Sequence, residues 1–351
     1  MQACGQVSEQ KPSTSFIPAD HPNIAYIGRV GLENPASPQL SYPGTQIRAD
    51  FNGTSIAMKV KSNSGYFMVE IDHQKAKKVA SLVNDTILPL AKGLKDTTHT
   101  LIVTLAYEGY LRKPEFRGFF LDSNKNLPHK PILPTRKIEI IGNSITCGYG
   151  TEVLDPKAPF NDATENQYYT YAAYTARHLH AQLMVVARSG IGIYRNYNGP
   201  KNGNQDCMPE MYTQTVFADD SQEWDFNRFT PDVVCVNLGT NDCSTTPYNI
   251  KRLTDGYRKF IKRLRNDYPT SKIVLIAGPM LHGKADRDVK KAQKTVVVEA
   301  NKRGDKEVYH FALSTTYGEL GYGASYHPSK AQQYKNGAEL TSYLRKLMNW
   351  N

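Results

Sequence analysis

Four short stretches of the chain each carry a residue type that acyl transfer needs. Gly142-Asn143-Ser144 follows the apolar run KIEII, and Ser189-Gly190-Ile191-Gly192 follows QLMVVA. NLGTND, residues 237–242, follows DVVCV, and Tyr326-His327-Pro328 lies near the carboxyl end. Together they hold a hydroxyl, a flexible backbone N–H, a carboxamide and an imidazole. A serine hydroxyl is a weak nucleophile until a base accepts its proton. His327 is the natural base, because an imidazole with an ordinary pKa near ~6.5 shuttles protons at neutral pH. The tetrahedral intermediate carries an oxyanion, and each donor aimed at it is worth roughly 3–4 kcal/mol. The candidate donors are the N–H groups of Ser144 and Gly190 and the side-chain amide of Asn241. Taken singly, each stretch has a plain structural reading: a turn serine, a tight glycine turn, a helix cap, a helix start. Their order and their shared place after strands make the joint case.

The elements that must position them change character along the chain. From about residue 20 to 130 the apolar residues alternate in twos. SIAMKV puts Ile56, Met58 and Val60 on one face, and YFMVEID puts Phe67, Val69 and Ile71 together. HTLIVTLAYE and EFRGFFLD are further strands, and Pro43-Gly44, Asn52-Gly53 and Asn63-Ser64-Gly65 mark turns. Short strands at this spacing predict an all-β, antiparallel sandwich of jelly-roll type. No catalytic constellation is visible in this half.

After the Pro-rich connector KNLPHKPILPTRK, strand-like runs alternate with helix-like ones. In NIKRLTDGYRKFIKRLRNDY the residues Ile250, Leu253, Tyr257, Phe260, Ile261 and Leu264 share one helical face. Strand–helix alternation with nearly continuous apolar strands predicts an α/β domain, a parallel sheet with helices on both faces. Such sheets bind ligands beyond the carboxyl ends of their strands, where the four stretches fall. The division expected is 1–15 as a tether, 16–130 as the sandwich and 131–351 as the catalytic domain.

The chain has 351 residues and the composition of a soluble globular protein, with a formal charge of +10. Its basic residues are interleaved with acids on helix faces, and no recognition-helix or basic-aromatic module accompanies them, so nucleic acid is not an expected partner. No apolar run approaches the ~20 residues of a membrane span. There is no H-E-x-x-H, P-loop or dinucleotide fingerprint. The cysteines fit neither a zinc pattern nor a disulfide scaffold. Cys235, inside an apolar run, reads as core, and a single bridge among Cys147, Cys207 and Cys243 stays open. Near the start, a small residue followed by Cys4-Gly5 and a polar tether resembles a bacterial lipoprotein cleavage site. Lipid on Cys4 would then be the one expected membrane attachment. His178 and His180 read as a solvated pair on a helix face, His310 as half-buried structure, and His282 as part of a helix lead-in.

The blocks GNSITCGYG, ARSGIGIYRNY, WDFNRFTPDVVCVNLGTND and YHPSKAQQ together resemble the SGNH hydrolases, a flavodoxin-like α/β fold. More narrowly, the chain is similar to carbohydrate esterase family two, which joins a jelly-roll domain to an SGNH domain and removes acetyl groups from xylan and related polysaccharides. That resemblance implies Ser144 as nucleophile, Gly190 and Asn241 with Ser144 as oxyanion donors, and His327 as base. It implies no metal or organic cofactor, an acetylated polysaccharide or oligosaccharide as partner, and a secreted or cell-surface location. SGNH enzymes usually place an aspartate two or three residues before the histidine, whereas here those positions are Ser325 and Ala324. A backbone carbonyl could replace it, giving a Ser-His dyad of the kind that occurs in this family. Asp242 or another distant acid could fold into place, or the enzyme could be dead. The dyad is the reading adopted, because nucleophile, base and oxyanion donors are all retained. Tyr149, Tyr194 and Tyr326 are candidate sugar contacts. The rival functions are an SGNH lipase or lysophospholipase, which needs a deep apolar acyl pocket, and a polysaccharide-binding protein with a decayed site.

Overall fold

The computed structural model describes residues 14–351, so the proposed attachment residue Cys4 lies outside the described residues. The period-two segments form two antiparallel sheets. One has the strand order Ser15–Pro18, Phe116–Leu121, Ile56–Val60, Ile87–Ala91. The other runs Ala25–Ile27, Gln46–Gly53, Thr97–Leu105, Gly65–Ile71, Lys77–Ser81. Ile56, Met58 and Val60 of the first sheet bury with Phe67, Val69, Leu101 and Val103 of the second in one core. Ile71 is only half-buried, at the end of its strand. Met68 faces the other way and is buried as well, because the second domain covers it: the Asn166 amide donates to Met68 Sδ at 3.2 Å.

The second domain is built on five parallel strands: β1 (Arg136–Gly142), β2 (Ala181–Ala187), β3 (Val233–Val236), β4 (Lys272–Ala277) and β5 (Val308–Ala312). Their spatial order is β2-β1-β3-β4-β5, the flavodoxin-like order. Successive residues of a strand point to opposite faces, and both faces are covered. Ile138, Ile140, Val185 and Cys235 pack with Tyr171, Ala176, Leu340 and Leu344 from the helices Tyr171–His178 and Lys330–Met348. Ile141, Val186, Val234 and Val236 pack with Leu253, Tyr257, Phe260 and Val296 from the helices Ile250–Asp267 and Gly283–Lys302. In this order the chain reverses direction across the sheet between β1 and β3. The loops leaving those two strands therefore part, and a crevice opens between them.

Several sequence expectations need correction. Ile250 is the first residue of its helix and is exposed, since the helix face turns inward only from Leu253 on. His180 lies past the helix end in a left-handed turn (φ 48°), so it does not share a helix face with His178. Cys147, Cys207, Cys235 and Cys243 are all free and buried, which closes the question of a bridge among them. A hairpin of Gln214–Val216 with Asp219–Glu223, inserted between β2 and β3, shows no apolar alternation in the sequence because its second strand is wholly polar.

That hairpin helps lock the two domains together. Arg29, from the first domain, is fully buried and donates to the carbonyls of Tyr212 and Gln214 (2.9 Å for the latter). Its guanidinium lies 3.5 Å from Glu139 in the middle of β1 and within cation–π reach of Tyr212, Trp224, Phe226 and Tyr42. Tyr212 also donates to Glu139 at 3.0 Å. Burial still pushes the Glu139 carboxyl up to about 7, against the pull of Arg29. Removing Arg29 leaves a buried acid without its cation, a loss worth about 3–5 kcal/mol. Arg29→Ala should therefore lower the urea midpoint and melting temperature markedly. The loss should be greatest well above pH 7 and shrink as pH falls to about 7, because without Arg29 the Glu139 carboxyl takes up its proton at a higher pH than the value of about 7 it has beside the cation. Equilibrium denaturation across this pH range measures this.

Candidate active site

Asn143 closes β1 in an extended conformation, and its side chain accepts the N–H of Ile145 at 3.1 Å, capping the single helical turn Ser144–Cys147. Ser144 therefore leads a helix turn at the end of a central strand. Its hydroxyl is held 2.9 Å from His327 Nε2. The loop carrying the histidine comes close because residue 150 is glycine: a side chain there would meet Ala324 Cβ at 2.4 Å.

The imidazole nitrogen facing away from Ser144 answers the missing aspartate. Nδ1 lies 3.1 Å from the carbonyl oxygen of Ala324 and 3.2 Å from that of Ser325. Carbonyl oxygens only accept, so Nδ1 carries the proton and Nε2 is left free to take the serine's. The carbonyls are aimed by two consecutive non-glycine residues in the left-handed region, Ser325 (φ 49°) and Tyr326 (φ 58°). That conformation costs of order 1–3 kcal/mol per residue and persists only where the surroundings enforce it. Here the Ser325 N–H bonds the Ala158 carbonyl at 3.2 Å, and the Ala324 N–H bonds that of Gly150 at 3.3 Å. Tyr149 stacks on the imidazole, with ring centres 4.1 Å apart, and its hydroxyl reaches Ser325 Oγ at 3.3 Å. Desolvation drives the His327 pKa down to about 4, opposed by its two carbonyl partners, so the ring is neutral at pH 7.

Asp242 does not approach the histidine. Its carboxylate accepts the backbone N–H groups of Ile193, Tyr194 and Arg195 at 2.9–3.1 Å. Burial raises its pKa to about 6 despite these donors, which leaves it charged at neutral pH. The neighbouring Asn241 amide donates to the Ile191 carbonyl at 2.8 Å, which sets the amide against the glycine loop with its second N–H uncommitted. Gly190 sits in the left-handed region (φ 78°), where a side chain is disfavoured, and the nearest atom to a Cβ there would be 4.0 Å away. The N–H groups of Ser144 and Gly190 are not committed to acceptors among the described residues. The structure thus brings Ser144 and His327 into contact and seats Asn241 on the loop that carries Gly190.

The three candidate tyrosines fall differently. Tyr149 is the ring behind His327. Tyr326 is exposed beside it, edge-on to Tyr322. Tyr194 packs on the main core, and its hydroxyl accepts the Asn249 N–H at 2.8 Å, so it buttresses the loop. Sequence reasoning missed Glu108, whose carboxylate accepts the Ser189 N–H at 2.7 Å, and Glu165, which accepts the Glu108 N–H at 3.0 Å. Glu108 could have been noticed as an acid soon after a strand; Glu165, in a polar loop, gives no signal.

A five-stranded flavodoxin-like sheet with a serine, an imidazole and an amide-bearing loop at its crevice defines the GDSL-like hydrolases, and the GDSL-like lipase/acylhydrolase family pattern matches residues 140–332. Residues 26–131 match the N-terminal domain of carbohydrate esterase 2. A family two carbohydrate esterase from Clostridium thermocellum, solved in complex with cellohexaose, is 32% identical with a TM-score of 0.88, covering 93% of this chain and all of that one. The chain belongs to family two of the carbohydrate esterases. The cellulase/esterase CelE of Acetivibrio thermocellus is 33% identical over 94% of this chain, which spans only 40% of that longer protein. An acetylxylan esterase / glucomannan deacetylase of Cellvibrio japonicus is 27% identical over the whole chain and 96% of its own length.

Catalysis by a neutral His327 requires that kcat/KM hold as pH falls through 6.5 and drop only towards about 4. A pH–rate profile on an aryl acetate checks this, and an acid limb at 6.5 or above would contradict the desolvated, neutral imidazole. Asn241→Ala should cost about 10²–10³ in kcat, the range for one oxyanion donor, measured by the same assay.

Proposed function

We propose that the protein is a serine esterase that removes O-acetyl groups from xylan, glucomannan or a related polysaccharide. The observation that carries this is the 2.9 Å contact of Ser144 Oγ with His327 Nε2, combined with Nδ1 on backbone carbonyls. Ser144 attacks the acetyl carbonyl while Nε2 takes its proton. The oxyanion is held by the N–H groups of Ser144 and Gly190 and the free N–H of the Asn241 amide. The imidazolium returns the proton to the sugar oxygen as the C–O bond breaks. Water, deprotonated by the same nitrogen, then attacks the acetyl-serine and releases acetate. The positive charge that develops on His327 is met by two carbonyl dipoles in place of a carboxylate.

The surroundings favour a sugar over a fatty chain. Tyr326 and Tyr197 are exposed rings on the loops that hold His327 and Gly190, and the space above Gly190 is open. Exposed aromatic faces at an open rim suit a polymer lying across the site. The named activity of the Cellvibrio relative and the cellohexaose bound by the Clostridium enzyme point to β-linked polysaccharides. The same reading takes the first domain as a jelly roll and puts the enzyme outside the cytoplasm with its polymer, where lipid on Cys4 would tether it.

Ser144→Ala should reduce hydrolysis of an aryl acetate by about 10⁴-fold or more, as losing a nucleophile does elsewhere, and acetyl esters should be cleaved faster than octanoyl esters. Retained activity would remove Ser144 from its role. A preference for octanoyl would favour the lipase reading, and an inactive wild type the binding-protein one.

A further inference from the structure

A buried acidic cluster lies behind the glycine loop, and its members come from both domains. Glu108 follows the strand Thr97–Leu105 of the first domain; Glu165 and Cys147 belong to the second. All three are buried, and their carboxylate oxygens and sulfur lie within 4.8 Å of one another. Cys147 ends the helical turn that Ser144 begins. The backbones are knitted at the same place: the Gln167 N–H donates to the Ala106 carbonyl at 2.7 Å, and the Glu108 N–H to Glu165 at 3.0 Å. The other Glu165 oxygen, Oε1, is buried with no donor to accept from.

Two carboxylates this close and this dry cannot both be charged. The other groups around them are Tyr107, Tyr110, Asp162 and Arg188. Arg188 sits 3.8 Å from Asp206, and its buried Nε has no partner. A proton on Glu165 Oε1, donated to Glu108, resolves both the repulsion and the orphaned oxygen. Burial and the neighbouring Glu108 push Glu165 well above the ordinary carboxylate range, in keeping with this. Glu108 Oε1 is then the acceptor for the Ser189 N–H at 2.7 Å, one residue before Gly190.

We propose that Glu108 is a positioning residue for the oxyanion hole: the first domain reaches into the second through a shared-proton carboxyl pair, Glu108–Glu165, and fixes the Ser189–Gly190 backbone. The loop is then held at residue 189 by Glu108, at 191 by Asn241 and at 193–195 by Asp242. The first domain becomes a working part of the active site. The inference rests on the deacetylase reading of Ser144 and His327, and the experiment separates the two.

The test uses the full chain and an aryl acetate. Glu108→Ala, and Glu108→Asp, whose shorter arm withdraws from Ser189 while keeping the charge, should lower kcat at least tenfold with KM changed less than twofold. Glu108→Gln, whose amide oxygen still accepts from Ser189, should restore most of the rate. Glu165→Gln, which can donate to Glu108 and accept its N–H, should stay within about threefold of the wild type. If Glu108→Ala does not fold, the Asp and Gln variants decide. Wild-type kcat in Glu108→Asp, or a loss confined to KM, would overturn the proposal. So would a stoichiometric metal in the purified protein that is lost together with activity in Glu165→Gln. An inactive wild type would instead refute the deacetylase reading itself.

Discussion

The site turns on how one imidazole is oriented. A histidine that must take a proton at Nε2 needs an acceptor at Nδ1, and most hydrolases of this architecture supply a carboxylate. Here two peptide carbonyls do so, and they can only because Ser325 and Tyr326 hold a left-handed backbone. The binding of Ser325 N–H to Ala158, the approach of Ala324 over Gly150 and the stack of Tyr149 on His327 all serve to keep that loop where the carbonyls point inward. A dipole pair stabilises a cation less than a full charge does. Desolvation, opposed only in part by those carbonyls, leaves the neutral ring with a low affinity for protons, so the base stays available in mildly acidic solution.

Acids are nonetheless invested heavily around the site, in the backbone of the loop that carries Gly190. Asp242 gathers three successive N–H groups, and Glu108 takes another at the loop's start. Buried carboxylates of this kind are expensive unless fully bonded, and a loop tied to them has little freedom. That rigidity is what an oxyanion hole requires, since donors that reorganise during the reaction lose their advantage over water. The Arg29–Glu139 contact plays the corresponding part lower in the molecule, where it joins the first domain to β1, an inner strand of the second.

Much of this was legible in the chain. The alternation in SIAMKV, the apolar runs of β1 to β4 and the helix Lys330–Met348 follow from periodicity, because burial of one face or both imposes it. The pairing of Ser144 with His327 was readable from residue type and from position after strands. The polar strand Asp219–Glu223 was not, since it buries no apolar face of its own. Nor was the buried side of Met68, which depends on a domain nearly a hundred residues away.

By itself the sequence determined which groups were present: a serine after β1, a glycine after β2, an amide after β3, a histidine near the end, and no acid close before it. These are matters of local order, and strand-end placement follows from the short range of propensity and period. Only the tertiary structure decided what each acid does. Asp242 could have served the histidine or the loop, and Glu108 and Glu165 carried no mark at all. A carboxylate binds whatever donor the packed fold brings within 3 Å, and that distance is set by elements far apart in the chain.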